Sequence, residues 1–315
     1  MTSLSLFHSP GRTITLRDVL HAAALRGDRP ATDEPCPVRD AAEAERASEH
    51  WRVEQNLIAG EELDAWLMQR HLTHEDFLRH FRGEAPESET HRLARWWIDG
   101  SITLWAKRHA EALAALAATS TPPALEHLQH WFQATAGRFG GENGLQTFLR
   151  DKNLSAAWLA ELAQIECAHA DMQNELLAPA ALEKALRAMH FQLHRVTLSI
   201  AKVPQAGAAQ ELSLQLGQNP ATTLARLAEQ QGFDHSEQRF FIGDLAPDFQ
   251  QPFLSACEGE CLPAMQARDH WRLCQLVEKQ PPSLNDPEVL SRVQNQVLQQ
   301  RFAELSESVI AWQVE

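Results

Sequence analysis

FQLHRVTLSI, residues 191–200, is where the character of the chain changes. Its β-branched residues and its alternation of apolar and polar positions read as a strand. No earlier stretch reads this way. Downstream, residues 208–216 and 220–231 read as two short helices, and QRFFIGDLAP follows at 238–247. PDFQQPFLSA, 247–256, reads as a helix. GECLPAMQARDHWRLCQLVEK, 259–279, reads as a hairpin turning around Gln266 to Asp269. The order β-α-α-β-α-β-β within about 90 residues is that of a small α+β domain.

Upstream, the chain reads as helix. Leu16, Val19, Leu20, Ala23 and Leu25 recur at helical spacing after Thr15. Breaks fall at 28–38, 83–90, 119–123 and 137–143, with amphipathic stretches such as 93–116 between them. Trp96, Trp97, Trp105, Trp131, Phe132 and Trp158 sit in such stretches, most as core, a few as candidates to line a peptide groove. LDAWLMQRHLTHEDF from Leu63 matches LQTFLRDKNLSAAWL from Leu145 at an offset of 82, a candidate internal repeat spanning about 51–82 and 132–164. Each copy reads as helix, turn, then a helix capped by Thr73 or Ser155.

A last helix announces itself with Asp286 as N-cap and Pro287 in its first turn. Its stripe Leu290, Val293, Val297, Phe302, Leu305 and Val309 needs a partner surface, and the helical region is the expected one. The expected domains are 1–186 helical, 187–281 α+β, and 282–315 a helix returning to the first domain.

The chain has 315 residues, 42 acidic and 28 basic, for a net charge of -14. That balance speaks against a nucleic-acid backbone binder. No apolar run reaches the ~18 residues that span a bilayer. Residues 1–28 lack the pattern of a secretory signal, and five Cys do not suggest a disulfide framework, so a cytoplasmic location is expected. There are nine Trp and no Tyr.

Residues 191–279 resemble a parvulin-type peptidyl-prolyl isomerase domain. IGDLAPDFQQPFL (242–254), GECLPAM (259–265) and HWRLCQLVEK (270–279) carry the resemblance. The helices on both sides resemble SurA-like chaperones, in which an N-terminal helical module and a C-terminal helix hold an unfolded client. The tail KQPPSLNDPEVLSRVQNQVLQQRF (279–302) and the VIAW at 309–312 resemble parvulin-related proteins of ribosomal-peptide maturation and export systems.

The resemblance implies a peptide-binding pocket drawn from Arg195, His235, Phe241, Leu245, Phe249, Phe253 and Arg272. It places the two family histidines at Arg195 and Arg272, with His194 one residue before the first. Proline isomerisation has a barrier of ~18–20 kcal/mol, and two Arg would charge a pocket that works by desolvation. The implied function is a chaperone, escort or leader-peptide adaptor with weak or no isomerase activity. Its partners would be an extended peptide or precursor and a maturation enzyme, with no nucleic acid, membrane span or cofactor. An active isomerase is the alternative. A second alternative is a metal-dependent peptide-modifying enzyme built on Cys257, Cys261, His270 and Cys274, whose spacing resembles a zinc site. The competing reading sets Cys261 opposite Cys274 as small core residues of the hairpin.

Overall fold

The computed structural model describes residues 4–28, 38–219, 222–245, 247–267 and 269–313. They divide into two compact units, Met1–Glu175 with Gln299–Glu315, and Leu176–Leu298. The α+β class expected from the sequence is the class observed.

The first unit opens with a hairpin that the sequence reading missed. β1 (Ser5–Ser9) and β2 (Arg12–Thr15) turn through Pro10 and Gly11, and Gly11 has the positive φ that glycine tolerates. Among the described residues nine helices follow: α1 (Leu16–Arg26), α2 (Ala41–Glu54), α3 (Gly60–Gln69), α4 (His74–Arg82), α5 (Glu89–Ile98), α6 (Ser101–Ala118), α7 (Leu125–Arg138), α8 (Glu142–Asp151) and α9 (Ala156–Leu176). A capping box starts α1: the Thr15 hydroxyl accepts from the Asp18 N–H, and the Asp18 carboxylate accepts from the Thr15 N–H.

The two matched segments share one turn geometry. His71 and Asn153, 82 positions apart, both adopt positive φ at the end of a helix. The N–H of Leu72 bonds the carbonyl of Leu67 at 2.9 Å, and that of Leu154 bonds Leu149 at 2.8 Å. Thr73 and Ser155 then cap the next helix, accepting from Asp76 N–H and Trp158 N–H.

The second unit begins with α10 (Pro179–Ala188). It continues through β3 (Arg195–Val203), α11 (Ala206–Gln218), α12 (Leu224–Gln231), β4 (Asp234–Phe241), a 3-10 turn at Ile242–Asp244, α13 (Pro247–Ser255), β5 (Cys261–Gln266) and β6 (Trp271–Gln280). The expected strand at 191–200 begins four residues later. Residues 190–194 instead extend the turn after α10, with Leu193 N–H bonded to Met189 O. His194 therefore precedes the strand.

The antiparallel sheet runs β4-β3-β6-β5. Its alternation separates two cores. Val196, Leu198, Ile200, Leu262, Cys274 and Leu276 face one side with Phe253. Ala201, Val203 and Leu273 face the other, under α11 and α12.

α14 (Pro287–Val309) starts in the second unit and ends in the first. Asp286 caps it, its carboxylate accepting from the N–H of Glu288 at 2.9 Å. Near the other end Phe302 is buried and stacks on His169, ring centroids 4.6 Å apart. β7 (Ala311–Trp312) then adds to β1, pairing Trp312 with Phe7. Among the described residues, no helix is long and apolar enough to cross a membrane.

Candidate peptide-binding cleft

The sheet face carrying Leu198 and Ile200 floors an open cleft of about 510 Å³. β3 supplies these two residues because they alternate with Ser199 on a strand. From β4 comes Phe240, which pairs with Val196 and therefore shares the face. Leu245 and Phe253 close one side from the 3-10 turn and α13, and Met265 closes another from β5. Phe253 is buried and meets Phe240 edge-on at 6.0 Å.

Gln238 of β4 sits opposite Leu198 in the middle of the cleft, and the charged groups gather at one end. Arg272 and Lys202 pair across β6 and β3, so two cations stand side by side there. Arg272 Nε donates to His270 Nε2 at 3.3 Å, and His270 Nδ1 lies 2.7 Å from Asp269 Oδ1. That bond from His270 holds the Asp269 carboxyl below its ordinary value. Deeper in, burial pushes the Cys274 thiol up to about 11, so it is no nucleophile at neutral pH.

Of the residues expected to form the pocket, Leu245, Phe253 and Arg272 meet in this cleft. The Phe249 side chain lies outside the described residues. Arg195 and Phe241 do not belong to the cleft. They sit one residue out of phase with Val196 and Phe240, and a strand sends successive side chains to opposite faces. Phe241 is buried with Leu182, Leu193, Val289 and Val293. Arg195 and Arg292 lie on its ring at 4.5 and 4.1 Å. Arg195 is held by Asp286 and Glu288, and Arg292 by both oxygens of Asp244 at 2.7 and 2.9 Å. Nor do Arg195 and Arg272 face each other: Arg195 pairs with Gln280 and Arg272 with Lys202, at opposite ends of β3.

His235 is also outside the cleft. It pairs with Ala201, and its Nε2 lies 2.8 Å from Ser199 Oγ on the reverse face. Leu198, Ile200, Phe240 and Met265 are cleft residues that the sequence reading did not name. The signal was present in the alternation of β3, but it needed the strand's start.

The hairpin register corrects the reading of the cysteines. Cys261 pairs with Gln275 and Leu262 with Cys274, across an irregularity between Leu262 and Met265. Cys261 and Cys274 consequently occupy opposite faces of the sheet, so they do not oppose each other and cannot share one metal with Cys257 and His270. No three metal-ligating side chains converge among the described residues.

No family model matches the chain, and no curated protein matches it. Solved structures do. The peptidylprolyl isomerase PrsA of Bacillus cereus is similar at 12% identity, over 70% of this chain and 86% of its own, with a TM-score of 0.39. One of two structurally related SurA-like chaperones of Campylobacter jejuni is similar at 11% identity, over 68% and 87%, with a TM-score of 0.22. The foldase protein PrsA of Lactococcus lactis is similar at 10% identity, over 97% and 90%, with a TM-score of 0.27. These likenesses are distant.

Proposed function

We propose that the protein captures extended polypeptide in the sheet cleft and acts as a chaperone or escort, with little or no isomerase turnover. The observation that carries this reading is the lining: apolar side chains over most of the cleft, with Arg272, His270 and Asp269 together at one end. Apolar walls with a few placed polar groups suit reversible binding of a peptide. Arg272 would receive a backbone carbonyl or an acidic side chain. The Cys274 thiol that lines the cleft is held protonated by burial, which does not favour covalent chemistry through it. The resemblance of the tail supports, as part of the same proposal, a precursor peptide as client and a maturation enzyme as partner.

The test is binding of a fluorescein-labelled, permanently unfolded polypeptide, followed by anisotropy. Met265→Glu should weaken binding at least tenfold, and Phe191→Ala, at an exposed site outside the cleft, should leave it unchanged. Equal affinity for wild type and Met265→Glu would refute the cleft. A protease-coupled proline-peptide assay separates the alternative. Turnover above background that Arg272→Ala abolishes would establish an isomerase instead.

A further inference from the structure

β4 is an edge strand of eight residues. Ile242 N–H bonds His194 O at 2.9 Å, and the ladder continues with Phe240 opposite Val196 and Gln238 opposite Leu198. Hydrogen-bonded pairs alternate with non-bonded ones in an antiparallel ladder. Asp234, Ser236, Gln238 and Phe240 therefore turn their backbone groups to β3, and His235, Glu237 and Arg239 turn theirs outward. Among the described residues, no strand pairs with that outer side. Glu237, Gln238 and Arg239 are exposed. An open edge of this length is a site for pairing unless its side chains reject the incoming strand.

These side chains select one strand in particular: their own. A second β4, turned antiparallel about Gln238, sets Glu237 against Arg239 and Arg239 against Glu237. It also sets Ser236 against Phe240 and Gln238 against Gln238. The charge pairs fall at the positions whose backbone groups point outward, so ion pairing and hydrogen bonding favour the same register. In the single copy Arg239 donates to Gln280 of β6 at 2.6 Å, reaching across β3, so its guanidinium must turn outward on the same face to meet the second copy's Glu237.

We propose that two copies of this chain join through β4 about a two-fold axis, making one continuous sheet with four strands from each copy. In this register, cleft-facing residues meet cleft-facing residues. Both clefts then open on the same side of the joined sheet, next to each other across the Gln238 pair. A single extended polypeptide could occupy both, with the second contact made at high effective concentration. That consequence rests on the peptide-binding reading, whereas the pairing itself does not.

Sedimentation and light scattering of the full chain test the pairing. Wild type should approach twice 35.4 kDa as concentration rises. Glu237→Arg opposes Arg to Arg twice and should lose the dimer, as should Arg239→Glu. The double variant Glu237→Arg with Arg239→Glu should recover it. Hydrogen exchange should show the amides of His235, Glu237 and Arg239 protected in the dimer and open in Glu237→Arg. Both positions are exposed, and a circular-dichroism melt checks that each variant is folded. A wild type that stays monomeric overturns the proposal. So does a dimer that Glu237→Arg leaves intact, or a double variant that remains monomeric. Protection of these amides only on adding an unfolded polypeptide to a monomer would assign the edge to the client, and would also overturn it.

Discussion

Phe240 and Phe241 are neighbours in the chain with separate duties, because a strand turns them to opposite faces. Phe240 lines the cleft, while the Phe241 ring meets two guanidiniums that are themselves held by Asp244, Asp286 and Glu288. Phe241→Ala should cost about 3–5 kcal/mol in chemical denaturation and should spare the cleft's walls. A loss below 1 kcal/mol would mean that the ring is not the anchor of this cluster. The thiols give a second test at this scale. Cys257 is exposed, whereas burial holds Cys167 and Cys274 up to about 11. At pH 7.5 iodoacetamide should modify Cys257 well before either of these two, as read by peptide mass mapping. The sequence named Phe253, Leu245 and Arg272 as site residues, and the fold brings them together. Arg195 and Phe241, also named, lie one residue out of phase with the cleft-facing Val196 and Phe240, and successive strand residues face opposite ways.

At the scale of elements, the legible parts were those with local signals. α13, α14 and the β5–β6 pair each carry their own start or turn residues. The β1–β2 hairpin went unread because its strands are short and its partner β7 lies some 300 positions later in the sequence. The bulge in the β5–β6 ladder has no signature either, so the facing of Cys261 was not readable. The shared turn after α3 and after α8 gives a test. His71 sits at positive φ, where a side chain is strained. His71→Gly should leave stability unchanged or raise it by up to about 1 kcal/mol. Ala65→Gly, at an exposed site within α3, should lower it by about 1 kcal/mol. Urea midpoints compare the two, and equal losses would remove the turn's claim to a conformational requirement.

Across the whole molecule, buried histidines are concentrated in the first unit. Burial lowers His80 and His169 to about 4 and His109 to about 3, with Arg26 and Arg12 adding to the effect on His109. Neither ring nitrogen of His109 has a hydrogen-bond partner among the described residues. The unfolded chain takes up protons near the ordinary value of 6.5, which the folded unit resists until about pH 3–4. Stability is therefore whole above pH 6.5 and is lost as pH falls through that window. Eight of the nine Trp belong to this unit and Trp271 to the other, so intrinsic fluorescence follows it. Its melting temperature should fall steadily from pH 6.5 to 4, and His109→Leu should flatten the slope. A melting temperature independent of pH across that range would contradict the burial of these rings.

The pairing of β1 with β7 also sets a timetable. Phe7 packs against Trp312 at 4.9 Å, across a small sheet whose paired strands lie some 300 residues apart in the sequence. At 5–20 residues per second, about 15–60 s separate the synthesis of those two rings. Throughout that interval Phe7 and Leu6 wait on a hairpin whose closing strand does not yet exist. Until β7 is made, the apolar side chains of β1 that it covers have no partner strand on that edge.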